Sequence, residues 1–176
     1  MNKGNIRLRA LTAADLPLTL AWHNQEDIRD GYLGHPFPVN KEKEEQWYQK
    51  VLTSDLPTTI FGIEVIDTDT LIGVTMLKNI QLIHREAEFA IYIGDEQQKG
   101  KGYSKTATQL CLSFGFRKLN LNRIFLKVEE TNAVAKALYE RVGFVAEGML
   151  REAVFKNGSY RNVYLMSVLQ REFKEN

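Results

Sequence analysis

The chain has 176 residues with a formal net charge of +1, a hydrophobic content of 44% and a charged content of 26%. This length suits a single domain with a sizeable core, which we expect to span residues 1–176. The near-neutral charge argues against a general nucleic-acid binder. The lack of a long apolar run or an apolar leader predicts a cytoplasmic protein that does not enter a membrane.

The numbers and positions of the cysteine and histidine residues argue against a disulfide, a nucleophilic thiol and a metal site. The single cysteine, Cys111, excludes an internal disulfide and lies on the apolar face of a predicted helix, which favours a core thiol over a nucleophile. The three histidines, His23, His35 and His84, show no metal-ligand spacing, so we expect no metal.

The first forty residues predict a strand, a helix and a loop. Residues 6–11 alternate between apolar and polar side chains and predict the first strand. Residues 13–23 predict a helix, because Thr12 and Asp15 occupy capping-box positions at its start. Glycines and prolines then predict a loop over residues 30–40.

The next segment predicts a helix and a β-hairpin. Residues 41–52 form a charged stretch with helical spacing, and residues 55–57 end it. Residues 60–66 and 71–77 predict two strands joined by a polar turn.

A strand, a glycine-containing loop and an amphipathic helix follow over residues 87–118. In the strand, residues 87–93, apolar side chains share one face by alternation. The loop, residues 94–102, contains Gly100 and Gly102, which lack a Cβ and permit close approach of the backbone. Free N–H groups at the start of the following helix favour a bound phosphate, although a plain strand-to-helix turn remains an alternative.

The C-terminal part predicts a strand, a helix and a second hairpin. Residues 124–128 form a short buried strand, and a helix runs from Thr131 or Asn132 to Gly143, a glycine suited to the C-cap. The last hairpin, residues 144–155 and 160–169, has Asn157-Gly158 at its tip, which indicates a type I′ turn. Together these elements predict one α/β (α+β) domain with a mixed, mostly antiparallel sheet of about seven strands and about four helices.

Five motifs in the same order resemble the GNAT superfamily of N-acetyltransferases, in the branch that contains spermidine and ribosomal-protein N-acetyltransferases. They are residues 83–89, 100–103, 138–144, 147–148 and 157–161. The resemblance implies a GNAT fold, acetyl-coenzyme A as cofactor and transfer of an acetyl group to a primary amine.

The cofactor loop of this family is written Q/R-x-x-G-x-G/A, and two registers fit it. One begins at Gln97, whereas the other begins at Lys99 and places the helix start better, so we prefer the second. A splayed strand would offer further backbone contacts to the pantetheine arm. The cofactor-binding residues that the resemblance implies are Ile91, Tyr92, Ile93, Gln98, Lys99, Gly100, Lys101, Gly102, Tyr103, Ser104, Asn132 and Lys136.

Two residues are candidates for proton transfer. Tyr139 stands seven residues after Asn132 on one helix face, and the resemblance implies that it protonates the thiolate leaving group. Core packing of Tyr139 is the alternative. Glu88 points away from Phe89 on the predicted strand and serves either as the base or in orienting the substrate, with Glu86 a weaker candidate.

The charge distribution bears on the acceptor amine. Residues 12–55 carry eight acidic and four basic side chains, and residues 97–161 carry twelve basic and five acidic ones. The basic half suits a phosphorylated cofactor and the acidic half a small cationic amine such as a polyamine, unless the asymmetry is chance. The alternatives are a protein N-terminus, an aminosugar, or a non-catalytic acyl-coenzyme A sensor, and a homo-oligomer stays open.

Overall fold

The computed structural model describes residues 1–31, 37–53 and 58–174. The strands are β1 Asn2–Lys3, β2 Ile6–Arg9, β3 Thr59–Val65, β4 Thr70–Gln81, β5 Glu86–Ile93, β6 Arg123–Glu129, β7 Val145–Lys156 and β8 Ser159–Leu169. The α-helices are α1 Leu16–His23, α2 Glu26–Gly31, α3 Lys41–Thr53, α4 Tyr103–Arg117 and α5 Ala133–Val142.

The strands form one sheet in the order β1-β2-β3-β4-β5-β6-β8-β7. Neighbouring strands pair antiparallel except β5 and β6, which are parallel. The predicted fold class is therefore confirmed. The described ranges hold eight strands and five α-helices, one more of each than expected.

The additional helix, α2, overlaps the predicted loop over residues 30–40. That prediction is wrong at its first two residues, because α2 continues through Gly31, which we took for a helix breaker. Acidic residues in its first turn and Arg29 in its last suit the helix dipole. Residues 32–36 of the predicted loop, and the predicted helix end at residues 55–57, lie outside the described residues.

The predicted capping box is confirmed at the start of the first helical segment. The backbone N–H of Thr12 donates to Asp15 Oδ2 at 2.7 Å, and a short 3₁₀ turn over Ala13–Asp15 leads into α1. Arg9 donates to both oxygens of Asp15 at 2.8 Å, which ties this turn to strand β2. The entry into α1 is thereby fixed against the sheet.

Two apolar clusters pack on opposite faces of the sheet. On one face Phe89 and Ile93 of β5 pack with buried residues of α4 such as Cys111, whose side chain is 0% exposed. On the other face Tyr92 packs with Trp22 of α1 and neighbouring apolar residues. Alternate residues of β5 therefore belong to different cores, as expected for a strand buried on both faces.

The C-terminal elements end where the sequence predicts. The Asn132 side chain accepts a hydrogen bond from the Ala135 backbone N–H at 3.1 Å and caps α5, and Gly143 closes the helix with φ 110°. Asn157 and Gly158 have φ 48° and 79°, the positive values that a type I′ turn requires. Both predictions are confirmed.

Gly94 lets α1 pack closely against the end of β5. A Cβ at this position would lie 2.0 Å from Trp22 Cδ2, far inside contact distance. We expect Gly94→Ala to lower the free energy of unfolding by about 1–3 kcal/mol through overpacking, measured by urea denaturation. Gly148→Ala is the matched control, because a Cβ there meets nothing within 4 Å. Equal denaturation midpoints for the two variants would contradict this account.

Candidate active site

The candidate site is a cleft where β5 and β6 separate. Their parallel pairing covers only Glu86–Arg123, Ala87–Ile124 and Glu88–Phe125. Beyond these pairs the strands diverge around a cleft of about 760 Å³. The part of β5 after Glu88 stays paired with β4, so its backbone groups on the other side face the cleft. The predicted splay is confirmed.

Seven of the predicted site residues line the cleft, namely Glu88, Ile91, Tyr92, Ile93, Lys99, Asn132 and Tyr139. Lys136 is not among the described residues that line it. Its Nζ lies 2.5 Å from Glu140 Oε1 and 5.2 Å from the centre of the Tyr164 ring. Its ammonium group therefore pairs with Glu140, one turn further along α5, and the predicted contact of Lys136 with the cofactor stays a prediction.

The loop before α4 presents a row of backbone N–H groups. Those of residues 97–99 are donated within the loop, to Asp95 and Glu96. Those of residues 100–104 have no partner in the part of the chain that the structure describes. Gly100 and Gly102 adopt φ 77° and 81°, and Gly102 is the N-cap of α4. This geometry suits an anion at the helix N-terminus.

The backbone conformation gives a further reason for glycine at position 102, beside the predicted close approach to a phosphate. A Cβ on Gly102 would meet nothing within 4 Å in the described structure, so crowding by protein atoms does not exclude it. The left-handed backbone conformation is what favours glycine here, since other residues are strained in it.

Tyr139 lies on the α4–α5 face of the sheet. Its ring packs edge-on against Phe89 at 6.2 Å and against Phe144 at 5.7 Å between centroids. Burial raises the pKa of the Tyr139 phenol to about 12, because an apolar setting disfavours the phenolate. The hydroxyl therefore keeps its proton throughout the neutral pH range and is available as a donor in the cleft.

Glu88 reaches the cleft from the opposite face of β5. Its Oε1 lies 3.3 Å from Lys78 Nζ, and its Oε2 accepts a hydrogen bond from Asn79 Nδ2 at 3.0 Å. Both carboxylate oxygens therefore already have a partner within the protein. The base role predicted for Glu88 stays a prediction.

Two further carboxylates line the cleft: Asp27, from the acidic N-terminal stretch that the sequence associates with an amine, and Glu129, which the sequence did not identify. Asp27 lies 2.5 Å from Lys99 Nζ, and Glu129 Oε2 accepts from Lys156 Nζ at 2.9 Å. The hydrogen bond from Lys99 lowers the pKa of Asp27. Burial by itself would raise the pKa of Glu129, but the hydrogen bond from Lys156 opposes it, and the net direction is downward. Their partners are remote in sequence, so no local pattern reveals them.

A smaller chamber of about 340 Å³ adjoins the cleft on the side of α1, α2 and α3. The two spaces share Ile28 and Lys78 as lining residues. The other residues that line the chamber are His23, Arg29, Val39, Lys43, Glu44, Trp47 and Met76. It therefore combines apolar walls with three cations, one carboxylate and one imidazole.

No helix in the described ranges is long and apolar enough to cross a membrane. No group of three or more histidine, cysteine, aspartate or glutamate side chains within the same ranges is arranged to hold a metal ion.

Sequence comparisons give consistent matches over most of the chain. The family model described as "Acetyltransferase (GNAT) domain" matches residues 5–145. A spermidine N(1)-acetyltransferase of Vibrio cholerae is 37% identical over 168 residues, which are 96% of this chain and 95% of the relative. That of Escherichia coli K12 is 30% identical over 96% of this chain and 88% of the relative. A putative ribosomal N-acetyltransferase of Bacillus subtilis is 31% identical over 64% of this chain and 62% of its own.

Solved structures also match over most of the chain. The spermidine N-acetyltransferase of Vibrio cholerae in complex with CoA and spermine superposes with a TM-score of 0.90 at 36% identity, covering 96% of this chain and 97% of that chain. A dodecameric structure of spermidine N-acetyltransferase from Vibrio cholerae in an intermediate state gives a TM-score of 0.80 at 35% identity, covering 94% of each chain.

Proposed function

The chain belongs to the GNAT acetyltransferase family and is an acetyl-CoA-dependent N-acetyltransferase, and we propose that its acceptor is a primary amine of a polyamine. The observation that carries the proposal is the 37% identity to a spermidine N(1)-acetyltransferase over 96% of this chain.

Carboxylates among the described residues are available to a cationic acceptor, although four lysines, among them Lys127, also line the cleft. Three carboxylates line it, and each has a lysine partner: Glu88 with Lys78, Asp27 with Lys99, and Glu129 with Lys156. A polyamine carries ammonium groups of the same kind as these lysines. It can therefore take their place without leaving a carboxylate unpaired, which avoids an uncompensated charge in the cleft.

Thiol release from acetyl-CoA, measured with a panel of amines, tests the proposal. We expect turnover with spermidine and spermine to exceed that with glucosamine, aminosugar phosphates and peptide N-termini by about tenfold or more in kcat/KM. Turnover confined to another class would reject the polyamine assignment. Cofactor binding without turnover on any amine would point to the sensor alternative.

A second acceptor class follows from the side chamber. Arg29, Lys43 and Lys78 line it together with apolar side chains, and cations there repel an ammonium chain but attract an anion. An amine that carries a phosphate or carboxylate, such as an aminosugar phosphate, fits that chamber. The same panel separates the two classes.

The cofactor placement is part of the proposal. The N–H groups of residues 100–104, which have no partner among the described residues, suit the pyrophosphate. The backbone of Ile91 to Ile93, which pairs with β4 but not with β6, suits the pantetheine amides. Because residues 97–99 use their N–H groups within the loop, the register that begins at Lys99 fits better. Asn132 keeps its Nδ2 for the cofactor while its Oδ1 caps α5.

Gly102→Val tests this placement. Valine is strained at φ 81°, so the loop amides should leave their present arrangement, and we expect the dissociation constant for CoA to rise about tenfold in calorimetry. Gly4→Val is the control, because Gly4 also has positive φ but lies in the β1–β2 turn. Unchanged CoA affinity in Gly102→Val would show that the pyrophosphate does not bind at this loop.

Tyr139 is the proposed general acid. Acetyl-CoA supplies a thioester whose sulfur leaves as a thiolate. The raised pKa keeps the Tyr139 hydroxyl protonated, and packing against Phe89 and Phe144 fixes the ring at the cleft wall. Tyr139 then donates a hydrogen bond to the sulfur as negative charge develops there, and a proton follows from it.

The Tyr139→Phe variant, which lacks only the hydroxyl, tests the proposed role of Tyr139 as general acid. We expect Tyr139→Phe to lower kcat by about 10²–10⁴-fold with nearly unchanged CoA affinity, because the ring and its aromatic contacts remain. Steady-state kinetics, calorimetry and a melting curve on one preparation give the answer. A wild-type kcat in this variant would show that the Tyr139 hydroxyl is not the general acid and that the residue serves core packing alone.

A homo-oligomer belongs to the same proposal. β7 is an edge strand, and Val145, Met149 and Phe155 along it are 60%, 42% and 63% exposed. Such a strand suits contact with a second copy of the chain, in keeping with the dodecameric Vibrio cholerae structure. Light scattering of the purified protein should give a mass above 20.2 kDa. A monomer at micromolar concentration would exclude this part of the proposal.

A further inference from the structure

A chain of polar side chains links the cleft to the interior behind it. Tyr92 lines the cleft, and its hydroxyl lies 3.2 Å from His23 Nε2. His23 Nδ1 lies 2.8 Å from Glu44 Oε2, and Thr19 Oγ1 donates to Glu44 Oε1 at 2.7 Å. Four side chains from α1, α3 and β5 thus form one continuous array.

The array is buried in apolar surroundings. Glu44 is 2% exposed, although charged side chains are rarely buried to this extent without a dedicated partner. The His23 ring packs edge-on against Trp47 at 5.9 Å and against Tyr92 at 5.5 Å between centroids. Packing and hydrogen bonds together hold the imidazole in one orientation.

We propose that Tyr92, His23 and Glu44 form a relay that takes the proton from the acceptor ammonium group. The inference rests on amine acetylation in the cleft, but not on which amine is used. It supplies the base that Glu88, already paired with Lys78, does not readily provide. Tyr92 contacts the acceptor, whereas His23 and Glu44 act through it as positioning residues.

The direction of the relay follows from the donors and acceptors. An ionised carboxylate accepts only, so Glu44 takes the hydrogen bond from His23 Nδ1–H. Neutral His23 then presents the lone pair of Nε2 to the Tyr92 hydroxyl, which becomes the donor. The Tyr92 oxygen keeps lone pairs with which it can accept a proton from the cleft.

The protons balance along this route. One proton of the ammonium group moves to the Tyr92 oxygen as the Tyr92 hydroxyl proton moves to His23 Nε2, so only N–H and O–H bonds change. The positive charge then faces the Glu44 carboxylate. A second proton leaves the nitrogen as the amide forms, and one proton is delivered to the thiolate through Tyr139. His23 is 17% exposed, which gives the first proton a route to solvent.

Charged groups from three elements face the chamber beside His23. They are Arg29 of α2, Lys43 and Glu44 of α3, and Lys78 of β4.

The kinetic test uses Tyr92→Phe, His23→Asn and Glu44→Gln, with whichever amine the wild type acetylates. Tyr92→Phe keeps the ring that packs on Trp22 at 6.1 Å. At pH 7 we expect kcat/KM to fall about 10²-fold for Tyr92→Phe and His23→Asn. The loss should shrink about tenfold per pH unit toward pH 9.5, because the variants depend on amine that is already neutral and amines of this type have a pKa of about 10.

Tyr48→Phe is the matched control. Tyr48 packs on the same apolar cluster and donates its hydroxyl to Leu11 O at 3.3 Å, away from the cleft. We expect wild-type activity from it. A loss in Tyr92→Phe or His23→Asn that is the same at pH 7 and pH 9.5, or an equal loss in Tyr48→Phe, would overturn the relay.

A second readout needs no turnover and separates this inference from the proposed function. In two-bond ¹H–¹⁵N spectra of the imidazoles, assigned with His23→Asn, we expect His23 to be protonated at Nδ1 alone and Glu44→Gln to populate the other tautomer. Protonation of Nε2 in the wild-type protein would overturn the relay. If the wild type acetylates no amine, the proposed function fails, and these spectra still decide whether the relay exists.

Discussion

The separation of β5 from β6 is the constraint on which the site depends. A sheet normally uses all its backbone groups in neighbouring strands, and here three residue pairs at one end of the two strands carry the whole connection. Two halves of the sheet are joined there, and the remainder of each strand is left to meet a ligand. Each half keeps its own antiparallel partners, β4 on one side and β8 on the other. The cleft therefore costs few hydrogen bonds within the protein.

The cleft opens to both faces of the sheet, and the two faces carry different chemistry. Tyr139 approaches from the face of α4 and α5, where apolar packing raises the pKa of its phenol. Glu88 and Tyr92 belong to the face of α1, α2 and α3, which holds the charged groups and the His23–Glu44 pair. Period-two alternation along β5 thus gives the two faces of the cleft different side chains.

Local patterns were sufficient for most of the elements and for the glycine-containing loop before α4, but not for interactions between distant segments. The alternation of β5, the glycines before α4 and the spacing of Tyr139 from Asn132 all have local signatures. The Asp27–Lys99 ion pair joins residues 72 positions apart, and the His23–Tyr92 contact spans 69. Helix α2 was overlooked because Gly31 ends it rather than preventing it. The Lys136–Glu140 ion pair was not anticipated, because helical spacing does not reveal which neighbour a long side chain prefers.

The buried thiol also has a consequence for a protein that generates free thiol at every turnover. Cys111 is 0% exposed, and burial raises its pKa to about 12, so its reactive thiolate form is scarce at neutral pH and shielded from solvent. Disulfide exchange with oxidised coenzyme needs both that thiolate and access to it. The protein is therefore insulated from mixed-disulfide formation with the oxidised form of its own product. Oxidative conditions would limit the supply of its donor while leaving the folded chain intact.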